Sequence, residues 1–436
     1  MSARAAWPLG ALAPPPRRLP ATVSSTPRRL LALVAAAAAL VASLAGCGGG
    51  GGGGQSSSGS GGTTPPTPTP VQNTQPVIVD QGLGGFANLL FTSVTICAPG
   101  ASTNCQTIDH IQIDTGSTGL RIISSVLSPA LALRQQTDAS GNPIVECAQF
   151  VDGFAWGPVK IADVRLAGEV ASSVPIQVIG DPALATIPAA CSNVGPPENT
   201  VDAFGANGLL GVGFFLQDCG DACVQSTFPG IYYICPASSG CQPARVTLAQ
   251  QVPHPVSMFA SDNNGTIITM PLIPATGQAT ASGTMTFGIG TQSNNGMSNV
   301  TVIPADPNTG NITAVFNNHT YPTSYIDSGS NGFFFGNGIF PVCSPPDADF
   351  YCPATTQSLT ATIRGGNGAS ATVNFSVANA ETLTMNANFY AFSNLAGEAS
   401  DTTTFAFGMP FFYGRSVFTA IEAQTTPAGT GPFNAF

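Results

Sequence analysis

The chain has 436 residues, with 12 Lys and Arg against 22 Asp and Glu and a formal net charge of −10. Five of the basic residues precede residue 48, leaving seven against 22 acids and a net charge of −15 for the remainder. That balance excludes nucleic acid and anionic lipid headgroups as partners of the surface. Beyond the first 47 residues only one lysine remains, Lys160. With so few cations to repel one another when carboxylates protonate, the composition suits work at low pH.

Residues 1–47 read as an export signal and not as part of the fold. Arg17, Arg18, Arg28 and Arg29 precede an apolar run over 30–44 that ends in small residues. The run is too short for a membrane span. Leu44-Ala45-Gly46-Cys47 closes it and resembles a bacterial lipobox, which makes Cys47 the expected lipidated N-terminus. The expected location is therefore the bacterial envelope, lipid-anchored and facing the periplasm or cell surface. Residues 48–75 consist mainly of Gly, Ser, Thr, Pro and Gln. A stretch of this kind cannot bury apolar surface, so it reads as a tether, stiffest near Pro65–Pro70.

From residue 76 onward the pattern is short strands broken by Gly, Pro, Asn and Ser, as over 89–96, 159–166, 173–179, 283–288 and 371–377. No long helical period with caps stands out, and Lys, Glu and Arg are scarce. The expectation is a mostly β fold in two lobes, 76–250 and 251–436, a length that suits two cores better than one.

Ten cysteines remain beyond Cys47. Four close pairs are evident: Cys97 with Cys105, Cys219 with Cys223, Cys235 with Cys241, and Cys343 with Cys352. Cys147 and Cys191 are left to each other. In an exported chain disulfides are the default. With three His and no CxxC spacing, zinc is not expected.

One acidic turn occurs twice. Ile113-Asp114-Thr115-Gly116-Ser117-Thr118-Gly119 is matched, 213 residues on, by Ile326-Asp327-Ser328-Gly329-Ser330-Asn331-Gly332. Each Asp ends a strand-like run and is followed by a hydroxyl residue, a Gly and a Ser, small groups that let backbone and hydroxyls approach a carboxylate. A second echo lies downstream: Gly208-Leu209-Leu210-Gly211 is matched by Phe405-Ala406-Phe407-Gly408, 197 residues on. Offsets this similar indicate two homologous halves, with Asp114 and Asp327 brought together.

These residues resemble the pepsin-like aspartic proteases, from about residue 80 to the C-terminus. The two Asp turns resemble the family's two catalytic signatures, and Gly208–Gly211 and Phe405–Gly408 the hydrophobic-hydrophobic-Gly motifs that support them. The stretch from Gln250-Gln251 to Met258-Phe259 resembles the crossover between lobes. Residues 283–288 are similar to the strand that opens the second lobe, and residues 410–418 to the final strands. The resemblance implies a bilobal double β-barrel with pseudo-two-fold symmetry and a cleft between lobes. It implies a catalytic pair, Asp114 and Asp327, with Ser117 and Ser330 holding the outer carboxylate oxygens and Thr115, Gly116, Ser328 and Gly329 bracing the loops. It implies peptide or protein substrates, no cofactor, no metal and a monomer.

Two departures stand out. Arg121 occupies a position where the family usually places an aromatic. The flap hairpin matches Phe150, Gly153 and Trp156, which puts Phe150 where the family has a Tyr, and Phe cannot donate the flap hydrogen bond. A runner-up reading follows from these: a non-catalytic lipoprotein that binds peptide or glycan in the cleft. Other chemistries have little support. His110 is read as solvated on the Gln112 face, away from the carboxylate. Asp218, Asp221, Asp347 and Asp349 read as solvated loop acids, and His254 falls between prolines of the crossover.

Overall fold

In this computed structural model the described residues are 73–436, apart from Val151, Phe228, Pro229, Asn337, Pro346 and Ser400. The export signal, Cys47 and most of the tether lie outside them.

Two residues read as the end of the tether, Thr74 and Gln75, lie in a strand. Strand Thr74–Val79 pairs antiparallel with Ala281–Phe287, so backbone hydrogen bonds order residues whose side chains are polar. Asn73 is fully buried and donates to the Phe287 carbonyl at 2.9 Å. Because Thr74–Val79 belongs to the first half and Ala281–Phe287 to the second, this pair splices the two halves into one sheet. That sheet has sixteen strands among the described residues; a second sheet has seven. Helices are single turns of four or five residues, such as Val201–Phe204 and Ala380–Thr384. Among the described residues no helix is long and apolar enough to cross a membrane.

The strands follow the alternation in the sequence closely. The readings 89–96, 173–179, 283–288 and 371–377 correspond to Leu90–Cys97, Glu169–Ile179, Ala281–Phe287 and Ser370–Val377. The strand read at 159–166 is longer, Phe154–Leu166, because its first half pairs with Ile144–Gln149 in a hairpin. All five expected disulfides are present: Cys97–Cys105, Cys147–Cys191, Cys219–Cys223, Cys235–Cys241 and Cys343–Cys352.

The two halves share one local topology. In the first, Cys105–Asp114 runs parallel to Gly208–Val212, which is antiparallel to Thr118–Ile123. In the second, His319–Ile326 runs parallel to Phe405–Phe407, which is antiparallel to Phe333–Phe335. Each Asp turn is therefore clasped by the strand of its half's Gly motif. A Cβ on Gly211 would lie 2.7 Å from backbone atoms of Thr118, and one on Gly408 would lie 2.2 Å from the Gly332 carbonyl oxygen. Close approach of backbones, and not turn conformation, demands glycine there.

The second half is packed largely with phenylalanine. Phe316, Phe333, Phe335, Phe375, Phe405 and Phe407 form one ring cluster in which Phe405 and Phe407 stack at 4.2 Å. Burying each side chain contributes about 1.5–3 kcal/mol. The cluster lies directly behind the Asp327 turn and gives it a rigid floor.

Candidate active site

Asp114 ends its strand and Asp327 directly follows the end of its own, at the point where the halves meet. They are 9% and 5% exposed, which shields their charges from water. Each turn folds back on its own carboxylate: Gly116 N–H donates to Asp114 Oδ1 and Gly329 N–H to Asp327 Oδ1, both at 2.7 Å. The two carboxyls lie within hydrogen-bond reach of one another. A Cβ on Gly116 would sit 3.0 Å from Asp327 Oδ1 and 3.2 Å from Asp114 Oδ1. Glycine at both turns is what leaves room for the pair.

The turns are cross-braced by reciprocal bonds that define a local two-fold. Thr115 N–H donates to Ser328 Oγ at 3.2 Å, and Ser328 N–H donates to Thr115 Oγ1 at 2.9 Å. Ser328 Oγ donates to the Ile113 carbonyl at 2.9 Å, and Thr115 Oγ1 to the Ile326 carbonyl at 3.4 Å. All four donors and acceptors are buried, so each bond spares a desolvated group.

The outer oxygens are treated unequally. Ser330 Oγ donates to Asp327 Oδ2 at 2.7 Å. Its counterpart Ser117 was expected to do the same for Asp114, and here the structure corrects the sequence reading: Ser117 Oγ is buried without a hydrogen-bond partner. Its backbone carbonyl accepts from Gly213 N–H at 2.8 Å, as the Ser330 carbonyl does from Met409 N–H at 2.6 Å. Burial, and next the Asp114 charge and the hydrogen bond with Asp114, push the Asp327 carboxyl well above the usual range. Ser330 and the Gly329 N–H pull the other way without prevailing. One of the pair therefore carries a proton where ordinary carboxylic acids would both be ionised.

Gln112 also differs from the sequence reading. Residues two apart share a strand face, so Gln112 lies on the side of Asp114 and not away from it. Its Nε2 reaches across to the Gly329 carbonyl at 3.4 Å. His110 is offset by an irregularity opposite Thr92 and Val94 and has a positive φ of 47°. It is half-buried, 3.4 Å from both Asp80 and Asp109. In the second half Tyr325 holds the position of Gln112. Its phenol is buried and pushed up, mainly by burial and then by the Asp327 charge. The alternation rule alone would have flagged Gln112 and Tyr325.

The hairpin of Ile144–Gln149 and Phe154–Leu166 carries the three flap candidates, Phe150, Gly153 and Trp156. Its tip closes by a bond from Phe150 N–H to the Gly153 carbonyl at 2.8 Å. The Phe150 ring packs edge-on against Phe204 at 6.1 Å. Gly153 is pressed to the neighbouring segment, where a Cβ would lie 2.5 Å from the Pro196 carbonyl oxygen. Trp156 points inward: it is 2% exposed, donates to the Leu184 carbonyl at 2.8 Å and meets Tyr233 edge-on.

Two further readings are corrected. Asp218 is a buried acid that accepts from Tyr232 Oη at 2.7 Å, not a solvated one. Asp347 is 7% exposed, whereas Asp221 is exposed as expected. His254 is fully buried beside the backbone of Val212 and Gly213, its two ring nitrogens in no well-formed hydrogen bond, and burial pushes its imidazole down to about 4. Among the described residues, the grouping of side chains closest to a metal set is Cys343, Cys352 and Glu381, and both sulfurs are consumed in a disulfide.

Residues 69–436 match the family model described as "Protein of unknown function (DUF3443)". Among solved structures the chain is similar to one titled "Crystal structure of aspartic proteinase from Irpex lacteus". That likeness has 13% identity and a TM-score of 0.47, and covers 83% of this chain and 96% of that one. No curated protein matches the chain.

Proposed function

The chain belongs to this family of unknown function (DUF3443), so its activity has to be read from the site, and we propose that it is an aspartic endopeptidase. The observation that carries the reading is the buried, cross-braced Asp114–Asp327 pair, with the Asp327 carboxyl held well above its usual range. Two carboxyls sharing a proton offer a base and an acid at one point. The ionised member takes a proton from water as it attacks the peptide carbonyl. The protonated member donates to that carbonyl oxygen as negative charge develops. The aspartic proteases are the standing example of such a pair.

Cleavage of unfolded casein or a peptide library by the purified full chain, from pH 3 to 7, tests the reading. We expect acid-limited cleavage that pepstatin, a mimic of the tetrahedral intermediate, abolishes. Absence of cleavage across the range, with no rise in melting temperature on adding pepstatin, would reject it.

Two observations favour a second reading. The hairpin tip offers Phe150, packed on Phe204, in place of a hydroxyl donor, and the buried Ser117 hydroxyl makes no hydrogen bond to Asp114. A cleft that binds peptide or glycan without cutting it fits both. A peptide that raises the melting temperature yet is recovered intact would select that reading.

The setting is part of the same proposal. The division into lobes at 76–250 and 251–436, the monomeric state and lipidation at Cys47 rest on sequence. Five disulfides support an oxidising compartment. Intact-mass analysis of membrane-extracted protein tests the anchor: an unmodified Cys47 would remove it.

A further inference from the structure

Behind the Asp114 turn lies a set of ionisable side chains that the catalytic reading leaves unused. Arg121 follows the turn on strand Thr118–Ile123, Glu146 sits on the hairpin strand Ile144–Gln149, and Asp218 lies beyond Gly213. Their side chains are 4%, 0% and 6% exposed. Arg121 Nη2 donates to Glu146 Oε1 at 2.5 Å and lies 3.6 Å from Asp218 Oδ2. Arg121 Nη1 donates to the Thr118 carbonyl at 2.7 Å. Tyr232 Oη donates to Asp218 Oδ1 at 2.7 Å and accepts from Val252 N–H at 2.8 Å. Val252 in turn fills the space beside Gly119, where a Cβ would lie 2.3 Å from its Cγ1. The cluster thus surrounds Thr118 and Gly119, the residues immediately after Ser117.

The charges do not balance unless a proton is present. Two carboxyls face one guanidinium, out of contact with water. Glu146 and Asp218 are within hydrogen-bond reach of each other, yet Glu146 Oε2 and Asp218 Oδ2 have no donor. Ionised carboxylates only accept, so one shared proton supplies the missing donor. The remaining negative charge is then matched by Arg121. Without that proton a net negative charge stays buried, which is strongly unfavourable.

We propose that Arg121, Glu146 and Asp218 form a positioning cluster that clamps the Thr118–Gly119 end of the Asp114 turn to the hairpin, and that the clamp holds only while Glu146 and Asp218 share a proton. The groups facing Asp218 are Glu146 from the hairpin, Arg121 from the turn strand and Tyr232 from strand Tyr232–Ile234. Burial first, and then the Glu146 charge, hold the Asp218 carboxyl well above its ordinary range against the pull of Arg121. A carboxyl raised in the folded state contributes stability that is present at low pH and is lost as pH rises through its folded value. The clamp therefore tightens in acid and loosens as pH rises, which sets an upper pH limit on the turn. Its effect on catalysis rests on the endopeptidase reading, but its effect on structure does not.

Hydrogen exchange on the full chain, corrected for intrinsic rates, separates the two. In the wild type, amides of 116–123 and 144–149 should lose protection at least tenfold between pH 5 and 8, while those of 357–377 hold theirs. Asp218→Asn keeps an acceptor for Tyr232, gives Glu146 a permanent donor and leaves Glu146 paired with Arg121. It should abolish the pH-dependent loss, and Glu146→Gln should do the same. Arg121→Met should lose protection at every pH, and Arg121→Lys should regain part of it. If the chain cleaves peptides, Asp218→Asn should also shift the alkaline limb of kcat/KM upward. Wild-type protection that stays flat with pH would overturn the proposal, as would an Asp218→Asn chain that still loosens like the wild type. Absent cleavage with the exchange pattern intact would overturn the endopeptidase reading alone.

Discussion

Thr115 and Ser328 each hold the other's backbone: the Thr115 hydroxyl accepts from Ser328 N–H at 2.9 Å, and the Ser328 hydroxyl accepts from Thr115 N–H at 3.2 Å. Each hydroxyl then donates onward to a carbonyl of the opposite half. Removing either side chain orphans a buried N–H and a buried carbonyl, at about 1–3 kcal/mol for each group. Thr115→Val and Ser328→Ala should each lower stability by roughly 2–4 kcal/mol. The two variants break different bonds of one contiguous brace, so the loosening caused by the first lowers what the second can cost, and the double variant should cost less than the sum. Urea unfolding of the four proteins checks this. Additive losses would mean the brace is not one unit.

Gly329 separates the pair's geometry from its chemistry. A Cβ there would lie 2.6 Å from Asp114 Oδ1, closer than atoms of that kind approach. Gly329→Ala should push the carboxyls apart with both still present. The expected result is loss of nearly all activity, on the order of the 10²–10⁴-fold that positioned acid–base groups supply. Circular dichroism should remain that of a folded chain. Activity within a few-fold of wild type would show that the separation of the carboxyls does not matter.

His254 sets a lower limit on pH. Its imidazole is fully buried and held at about 4, against an ordinary value near 6.5. A base depressed in the folded state contributes stability that is complete above the unfolded value and is lost as pH falls through the folded one. The loss between pH 6.5 and 4 amounts to about 3 kcal/mol. His254→Gln should flatten the fall in melting temperature over that window. An unchanged slope would remove His254 as its cause. Asp327 acts in the opposite sense, since burial and Asp114 raise its carboxyl. Mildly acidic conditions should be where the fold is firmest.

The sequence was most legible where the physics is local. Turn grammar identified both Asp loops, alternation placed strands such as Ala281–Phe287 within a residue or two, and short cysteine spacings gave four of the disulfides. What it could not show depends on distant partners. Ser117 and Ser330 are equivalent in sequence, and both backbone carbonyls are held by the neighbouring Gly-motif segment, yet only the Ser330 hydroxyl donates to a carboxylate. Asp218 reads as a loop acid until Arg121 and Tyr232 are placed beside it. Alternation in the sequence already puts Gln112 on the face of Asp114, whereas the irregularity opposite Thr92 and Val94 that displaces His110 has no mark in the sequence.

On the proposed reading, Asp114 and Asp327 work as one proton-sharing unit in peptide hydrolysis. The most direct test is to measure peptide cleavage at acid pH for Asp114→Asn, Asp327→Asn and the double variant, with folding confirmed for each. Groups that act as a unit are grossly non-additive. Each single change should therefore abolish cleavage nearly as completely as both together. A single variant that keeps substantial activity, or two losses that multiply in the double, would contradict the claim.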